Sequence, residues 1–200
     1  IRAGMRLSSS TRFSFRKSIT TSICRPRRRV KRPRRRLLRP RARNSHKGSN
    51  GSAGILGGAR GMLGATFLAG RAALHLGAGR TYVGALDAQT PPCDPLQPEL
   101  MMRGAEALLT TPLEALACGP GIGTSPEAKR LLERACTLNL PLLLDADALN
   151  LLALEGDLDT AVATRRAPTL LTPHPAEAAR LLDASVADVQ ADRIAAASEL

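Results

Sequence analysis

Residues 57–79, GGARGMLGATFLAGRAALHLGAG, combine a glycine-rich turn, an apolar run and a closing pair of glycines. Small or apolar residues recur along the run at intervals of three and four, at Leu63, Phe67, Gly70 and Leu74. This spacing predicts a helix. Few polar residues interrupt the run, so we expect the helix to be buried on most of its sides. Gly77 or Gly79 suits the left-handed C-cap that ends such a helix.

The segments on either side of this helix, residues 52–56 and 80–86, have the composition of short strands. A strand, a glycine turn, a helix and a second strand form a βαβ unit with parallel strands. The turn glycines have two interpretations, which stay open here. They allow a ligand to approach the backbone closely, or they allow only a tight turn and close packing of helix on sheet. The residues concerned are Gly57, Gly58, Gly61 and Gly64.

The same alternation of strand and helix continues along the chain. Further strands are predicted at residues 98–103, 114–118, 140–144 and 168–171. The run at 140–144 is uninterrupted, as expected of a strand that is buried on both faces. Ser125, Pro126 and Glu127 have the N-cap, first-position and first-turn chemistry that begins a helix. The predicted class is α/β, with helices on both faces of a mainly parallel sheet.

Four of the predicted strands end in turns with unusual composition. These turns are GGARGMLGA (57–65), GPGIG (119–123), DADALN (145–150) and TPHPAE (172–177). In an open parallel sheet, ligands bind beyond the carboxyl ends of the strands. We therefore expect all four turns to lie at one edge and to form one ligand site.

Several polar residues in these turns are candidates for ligand contact. His174 lies between two prolines, and we favour ligand contact over an exposed histidine whose prolines only shape the turn. Asp145 and Asp147 could hold Mg²⁺ through water, orient a sugar hydroxyl or cap the following helix, and for Asp147 the N-cap is the favoured role. Asn150 and Glu177 lie in first turns of helices, where each could simply satisfy backbone donors.

The charge of the chain is unevenly distributed. Of the 29 Lys and Arg residues, 17 lie in residues 1–44, which contain no acid, so the net charge of +12 conceals a charge of −5 over the remainder. This Arg- and Pro-rich arm is predicted to be disordered. It could bind nucleic acid or a membrane surface, act as a transit peptide, or be an extension without a role, which is the interpretation we favour.

Composition also excludes several classes of protein. The four cysteines form no C-x-x-C pair, so neither a disulfide framework nor a structural metal site is predicted, and a reducing, cytoplasmic location fits. If the arm is a transit peptide, the location is an organelle instead. No apolar run is long enough for a membrane span. Few aromatic residues follow the arm, so specific nucleic-acid binding through stacking is not expected.

Four motifs resemble, in order, those of one enzyme family. They are HKGSNGSAGILGGARGMLGATFLAGRAALHLGAGR (46–80), ACGPGIG (117–123), PLLLDADALN (141–150) and TLLTPHPAEAARLL (169–182). Together they are similar to the ADP- or ATP-dependent (S)-NAD(P)H-hydrate dehydratases, over nearly all of residues 45–200. The resemblance implies a ribokinase-like three-layer fold and a lyase that repairs hydrated NADH and NADPH. The nucleotide, with Mg²⁺, phosphorylates the hydroxyl of the hydrate, and loss of phosphate restores the nicotinamide.

The resemblance also implies roles for individual residues. Ala65, His174 and a glycine of GPGIG, Gly121 or Gly123, match positions that contact the hydrated dinucleotide. Secondary contacts are expected from residues near these positions, namely Gly64, Asp145, Asp147, Asn150 and Glu177. The family also implies a homo-oligomer, specifically a tetramer.

Two family motifs have no counterpart here, the Lys-Gly turn that holds the nucleotide and the glycine-rich helix start with the catalytic Asp. We therefore expect residues 45–200 to form the N-terminal two-thirds of a dehydratase domain, following the arm at 1–44. We also expect this chain alone to be inactive, with the catalytic residue beyond Leu200 and still unknown. A vitamin-precursor kinase of the same fold is the alternative, and a nucleic-acid-binding protein that acts through the arm is a third possibility.

Overall fold

A computed structural model describes residues 41–200; residues 1–40, which hold most of the predicted arm, lie outside the described residues. The strands are β1 (Ser52–Gly57), β2 (Arg80–Ala85), β3 (Met101–Gly104), β4 (Ala115–Cys118), β5 (Leu142–Leu144) and β6 (Thr169–Leu171). The helices are α1 (Leu63–Leu76), α2 (Ala105–Leu109), α3 (Pro126–Thr137), α4 (Asp147–Leu154), α5 (Gly156–Ala163), α6 (Pro175–Leu181), α7 (Val186–Ala191) and α8 (Arg193–Glu199), with a 3₁₀ helix at Lys47–Asn50.

The strands form one sheet in the order β3-β2-β1-β4-β5-β6, and all neighbouring pairs are parallel. The predicted α/β class and the βαβ unit around α1 are therefore confirmed. Because the register aligns Leu56 with Cys118 and Cys118 with Leu144, buried side chains from successive strands form rows on one face of the sheet. This face meets helices α2 to α5 and contains the main core.

The second face of the sheet is covered less completely. Helix α1 packs over β1 and β2, where Ile55, Val83 and Leu100 form a smaller core. Farther along this face, Leu143 is only half-buried and Leu170 is 58% exposed. The prediction that the strand at 140–144 is buried on both faces is therefore wrong, because the helices of residues 41–200 leave Leu143 partly open to solvent.

Helix α1 has the predicted position but not the predicted burial. Gly77 (φ 106°) is its left-handed C-cap, as expected, and its N–H donates to the carbonyl oxygens of Ala73 (3.1 Å) and Leu74 (2.8 Å). Leu68 and Leu76, however, are 66% and 69% exposed. The expectation that α1 is buried on most sides is therefore wrong, because it contacts the sheet through one side only and its composition does not reveal the open side.

The proline-rich loop after β2 is fixed by an ion pair that the sequence did not reveal. The guanidinium of Arg71, on α1, donates two hydrogen bonds to the carboxylate of Asp94. One runs from Nε to Oδ2 and the other from Nη2 to Oδ1, each at 2.7 Å. The Asp94 side chain is almost fully buried. Hydrogen bonds from Arg71 hold the pKa of Asp94 below its ordinary value. The pair anchors this surface loop to the helix.

A helix that crosses a bilayer needs about 20 consecutive, predominantly apolar residues. Among residues 41–200, none is both long and apolar enough to cross a membrane.

The Arg71–Asp94 pair predicts a pH-dependent loss of stability in Asp94→Asn. A carboxyl with a depressed pKa stabilises the folded state above the unfolded pKa of about 3.9, and this contribution disappears as the pH falls through the lower, folded value. In urea unfolding of the full chain, Asp94→Asn should therefore be less stable than wild type at pH 7. The deficit should shrink as the pH falls below about 4.

Asp159→Asn, at an exposed position in the first turn of α5, is the matched control and should show only the small deficit at pH 7 that follows from a weaker interaction with the helix dipole. A deficit in Asp94→Asn that is equal at pH 7 and at pH 3 would contradict this account of the pair.

Candidate functional site

The four unusual turns meet at the carboxyl edge of the sheet and are hydrogen-bonded to one another. In the turn after β1, the Gly58 N–H donates to the carbonyl oxygen of Pro120 (3.1 Å), and the Ala59 N–H donates to that of Gly121 (2.7 Å). These bonds join the first turn directly to GPGIG. The first two turns therefore form one continuous surface of backbone.

GPGIG is joined in turn to the strand ends on its other side. The Gly123 N–H donates to Asp147 Oδ2 at 2.9 Å. Asp145 Oδ1 accepts a hydrogen bond of 2.8 Å from the hydroxyl of Thr172, at the end of β6. The predicted convergence of the four turns at one edge is thus present in the fold as a chain of hydrogen bonds.

Glycines allow this close contact between turns. A Cβ on Gly119 (φ 126°) would overlap the carbonyl oxygen of Asp145. A Cβ on Gly121 (φ 62°) would lie 2.7 Å from the carbonyl oxygen of Met62 and 3.4 Å from the Cβ of Ala65. Both positions therefore favour glycine for conformation and for space. Gly121 and Ala65, two of the predicted contact residues, are brought into contact.

The glycines of the first turn divide between the two interpretations. Gly58 (φ 63°) and Gly61 (φ 82°) adopt the left-handed region, and a Cβ on Gly57 would overlap the carbonyl oxygen of Pro120. Close packing therefore explains Gly57 and Gly58. It does not explain Gly64, where a Cβ would meet nothing within 4 Å and φ is ordinary. For Gly64 the interpretation as a tight turn or close packing is therefore wrong, and close approach of a ligand stays a prediction.

The N-terminus of α1 faces this edge with unused donors. Within residues 41–200, the N–H groups of Gly61, Leu63 and Gly64 have no hydrogen-bond acceptor. Met62 is the N-cap and makes no side-chain capping bond. Free N–H groups at the start of a helix attract anions or polar groups, and the helix dipole adds to this attraction.

The roles predicted for two residues of α4 differ from those observed. Asp147 is the first helical residue rather than the N-cap, which is Ala146 (φ 49°), so its carboxylate is free to accept from Gly123. Asn150 does not satisfy backbone donors; its Oδ1 accepts from Arg180 Nη1 at 2.8 Å. Both differences arise because partners from other turns and helices compete with the local helix start.

His174 and Glu177 form a reciprocal capping box at the start of α6. The Nδ1 of His174 accepts from the N–H groups of Ala176 (3.1 Å) and Glu177 (3.3 Å), and Glu177 Oε2 accepts from the His174 N–H (2.8 Å). The backbone role of Glu177 is as predicted. Because Nδ1 accepts, the proton of a neutral His174 ring belongs on Nε2, which lies 3.1 Å from Glu177 Oε1. The ring is 59% exposed at the edge.

The predicted contact residues are thus brought together in two groups. Ala65, Gly121 and Gly123 lie around the joined turns after β1 and β4, whereas His174 stands at the end of β6. Because β6 is two strands away from β4, roughly 10 Å separate the two groups. A ligand that contacts both must extend across the ends of β4, β5 and β6.

Metal-binding side chains are sparse in this part of the chain. Among residues 41–200, no group of three or more His, Cys, Asp or Glu side chains is arranged to hold a metal ion. Asp145 and Asp147 each commit one oxygen to a neighbouring turn. They fit an ion that is carried by a ligand, such as Mg²⁺ on phosphates, better than a metal bound only by protein.

Sequence reasoning placed Gly119 and Thr172 in the predicted turns but missed the contacts by which they hold the site together. Gly119 is part of the GPGIG motif, but its contact with residue 145 joins segments that are distant in sequence. Thr172 begins the TPHPAE motif, in which His174 was the residue predicted to contact a ligand; the bond from the Thr172 hydroxyl to Asp145 was not predicted. Asp145 follows β5 and Thr172 follows β6. Because these strands are neighbours in the sheet, the strand order would have predicted that the two residues lie side by side.

The chain was compared with known proteins. The model of a family described as NAD(P)H-hydrate dehydratase matches residues 53–200. The chain is 40% identical to the bifunctional NAD(P)H-hydrate repair enzyme Nnr of Escherichia coli K12 over 137 residues. This stretch covers 66% of this chain and 25% of that protein. It is 41% identical to the ADP-dependent (S)-NAD(P)H-hydrate dehydratase of Neisseria meningitidis serogroup B over 142 residues. This stretch covers 68% of this chain and 47% of that protein. The chain thus spans less than half the length of these two relatives.

Solved structures agree with this similarity. The ADP/ATP-dependent NAD(P)H-hydrate dehydratase from Bacillus subtilis, co-crystallised with ATP and Mg²⁺, matches with a TM-score of 0.62 and 27% identity, over 78% of this chain and 56% of that one. A ribokinase-like superfamily protein from Enterococcus faecalis V583 matches with a TM-score of 0.66 and 24% identity, over 80% of this chain and 58% of that one. The second match shows the fold alone, and the predicted ribokinase-like fold is confirmed.

The contact between the turns after β4 and β5 predicts a large effect of Gly119→Ala. The new Cβ would overlap the carbonyl oxygen of Asp145 in a backbone conformation that alanine rarely adopts. We expect the free energy of unfolding, measured in urea, to fall by about 2 kcal/mol or more. Gly156→Ala is the matched control, because a Cβ there meets nothing within 4 Å. It should stabilise the chain by up to about 1 kcal/mol. Equal effects of the two substitutions would contradict the packing described here.

Proposed function

The chain belongs to the NAD(P)H-hydrate dehydratase family, and from this membership we propose that its carboxyl edge binds the S epimer of hydrated NADH or NADPH for nucleotide-dependent dehydration. The observation that carries the proposal is the hydrogen-bonded convergence of four turns at that edge. Family membership also favours this function over the vitamin-precursor kinase.

The backbone of the joined turns suits the nicotinamide half of such a ligand. Neither Gly121 nor the nearby Ala65 has a side chain larger than a methyl group, so a flat ring can approach the main chain closely between them. Gly123 extends the same surface toward β5. The His174 ring is 59% exposed at the far end of the edge, and its Nε2–H, 3.1 Å from Glu177 Oε1, would exchange that contact for one with the ligand. Gly64, Asp145, Asp147, Asn150 and Glu177 support the site from its borders.

ADP or ATP is the proposed phosphoryl donor, with Mg²⁺ on its phosphates. When bound, the nucleotide supplies the phosphoryl group that converts the hydroxyl of the hydrate into a leaving group. The carboxylates of Asp145 and Asp147 would face water ligands of the Mg²⁺ ion. Each is already bonded to a neighbouring turn, so we assign neither as the catalytic base, and our part of the proposal is that residues 41–200 bind and orient the hydrate.

Further proposals concern the setting of the protein. The exposed Leu68 and Leu76 of α1 support a homo-oligomer, and a tetramer stays the proposal from family resemblance. The buried, unpaired thiols of Cys118 and Cys136 support a reducing, cytoplasmic location, and burial raises the pKa of both. The acidic charge of residues 45–200 supports neither specific nucleic-acid binding nor membrane binding. The division into an arm at 1–44 and a dehydratase region at 45–200 is likewise proposed.

Substitutions of His174 test the proposed contact with the hydrate separately from the helix cap. Asparagine is a good N-cap residue, so His174→Asn should keep α6 intact while removing the imidazole donor. We expect calorimetry with the S epimer of hydrated NADH to show binding weakened by about 1–3 kcal/mol, the cost of a lost buried hydrogen bond. The thermal midpoint should stay near that of wild type.

Ser185→Ala removes the side-chain cap of the neighbouring α7 and is the matched control. It should lower stability slightly and leave the affinity for the hydrate unchanged. If His174→Asn binds hydrated NADH as tightly as wild type, His174 does not contact the ligand. If the wild-type chain binds neither hydrated NADH nor hydrated NADPH, the proposed function of these residues is wrong.

A further inference from the structure

The strand order divides the carboxyl edge into two halves. In the order β3-β2-β1-β4-β5-β6, the chain reverses direction across the sheet between β1 and β4. In open sheets of this order, dinucleotides lie across the reversal point, with one half of the ligand on each side. Of the contacts proposed for the nicotinamide, Gly121, Gly123 and His174 follow β4 and β6, and Ala65 lies near Gly121 on α1, so none is at the end of β2 or β3. They therefore account for only one half of the edge.

The other half contains a cavity that the proposed function does not yet use. It has a volume of about 490 Å³, which is within the range of small-molecule sites, about 300–1,000 Å³. Its walls are the ends of β2 and β3, the start of α2, residues 86–88 and 90–92, and Glu127. The Asp87 N–H donates to the carbonyl oxygen of Gly58 at 3.1 Å. The residue that lines the cavity at this point is therefore bonded to the glycine turn of the site.

One wall of the cavity is held in place by the loop after β2. The hydroxyl of Thr90 donates to the carbonyl oxygen of Asp87 at 2.6 Å, and both residues line the cavity. A few residues farther on, the buried Asp94 is bonded to Arg71. These contacts fix the shape of the wall before any ligand binds.

Within residues 41–200, carboxylates outnumber cations among the unpaired charges that line the cavity. Glu106 is paired with Arg130 and Arg134 on α3. Arg103 donates to the carbonyl oxygen of Met102 (2.8 Å) and lies over the ring of Tyr82. Among the described residues, two lining carboxylates, those of Asp87 and Glu127, are outside ion pairs. The one lining guanidinium outside an ion pair in this part of the chain, that of Arg103, is held by a carbonyl and an aromatic ring at the end of β3.

Asp87 is the better placed of these two carboxylates. It follows β2 directly, and its Oδ1 accepts from the Gln89 N–H at 2.9 Å. Among residues 41–200, its Oδ2 has no hydrogen-bond partner. In dinucleotide-binding sheets of this strand order, an acidic residue that follows the glycine turn binds the 2′-hydroxyl of the adenosine ribose. The placement of Asp87 in the fold is equivalent.

The start of α1 lies between the two halves. The N–H groups of Gly61, Leu63 and Gly64 have no acceptor among residues 41–200. This helix has 14 residues, long enough for a developed dipole that favours negative charge at its start. A pyrophosphate at this position would have the ribose cavity on one side and the nicotinamide surface on the other.

We propose that the cavity beside β2 and β3 binds the adenosine ribose of the hydrated dinucleotide, with Asp87 accepting a hydrogen bond from the 2′-hydroxyl. The inference rests on the proposed function and extends it to cofactor preference. A carboxylate attracts the 2′-hydroxyl of NADH and repels the 2′-phosphate of NADPH. The chain therefore binds hydrated NADH in preference to hydrated NADPH.

Calorimetry with the full chain and three probes tests this inference. The probes are the hydrates of NADH, of NADPH and of reduced nicotinamide mononucleotide, which lacks the adenosine. Asp87→Asn keeps the acceptor for the Gln89 N–H but removes the charge. We expect it to weaken binding of hydrated NADH and to strengthen binding of hydrated NADPH. The ratio of the two dissociation constants should change by about 10-fold or more. Binding of the mononucleotide hydrate should not change.

Asp159→Asn, outside the cavity on exposed α5, is the control for net charge, and Asp87→Ser replaces Asp87→Asn if the latter does not fold. An unchanged ratio in the Asp87 variant, or an equal change in Asp159→Asn, would overturn the inference. If wild type binds the hydrated dinucleotides in either case, the proposed function is retained. If wild type binds none of the three probes, the proposed function fails and the inference fails with it.

Discussion

The contact on which this structure depends is the insertion of the GPGIG backbone between the strand ends on either side of it. The carbonyl groups of Pro120 and Gly121 accept hydrogen bonds from the turn after β1, and the Gly123 N–H donates to Asp147 after β5. Side chains at Gly119 and Gly121 would fill the space that the neighbouring turns occupy. Such contact is possible only because all the strands are parallel, so that their carboxyl ends meet at one edge.

In this arrangement, the residues that stabilise the fold and the residues proposed to bind the ligand lie in different parts of the sheet. Leucines on the face of the sheet bury the core under α2 to α5, while the edge is built from backbone and short polar side chains. Residues at the edge also have structural roles. His174 caps α6, and Asp147 supports GPGIG. The dual use has a physical basis, because a group fixed by the fold loses little entropy when a ligand binds to it.

Local signals in the sequence predicted much of this fold. The interval of three and four residues predicted α1, Gly77 its C-cap, and Ser125 with Pro126 the start of α3. The predicted convergence of four turns followed from strand polarity alone. Pairings between distant segments were not predictable in this way. Asn150 meets Arg180 thirty residues away, and Arg71 meets Asp94 23 residues away, so no short-range pattern identified either partner. The exposure of Leu68 was missed because composition does not show which side of a helix meets the sheet.

The central claim is that the turns at the carboxyl edge bind the hydrated dinucleotide as one surface. Hydrogen–deuterium exchange of the chain with and without the S epimer of hydrated NADH tests it most directly, because backbone amides form most of that surface. The account predicts slower exchange on binding in residues 58–65, 119–123 and 172–177 together, and unchanged exchange in α5. Slower exchange confined to the exposed face around Leu143 and Leu170, with the three turns unaffected, would contradict it.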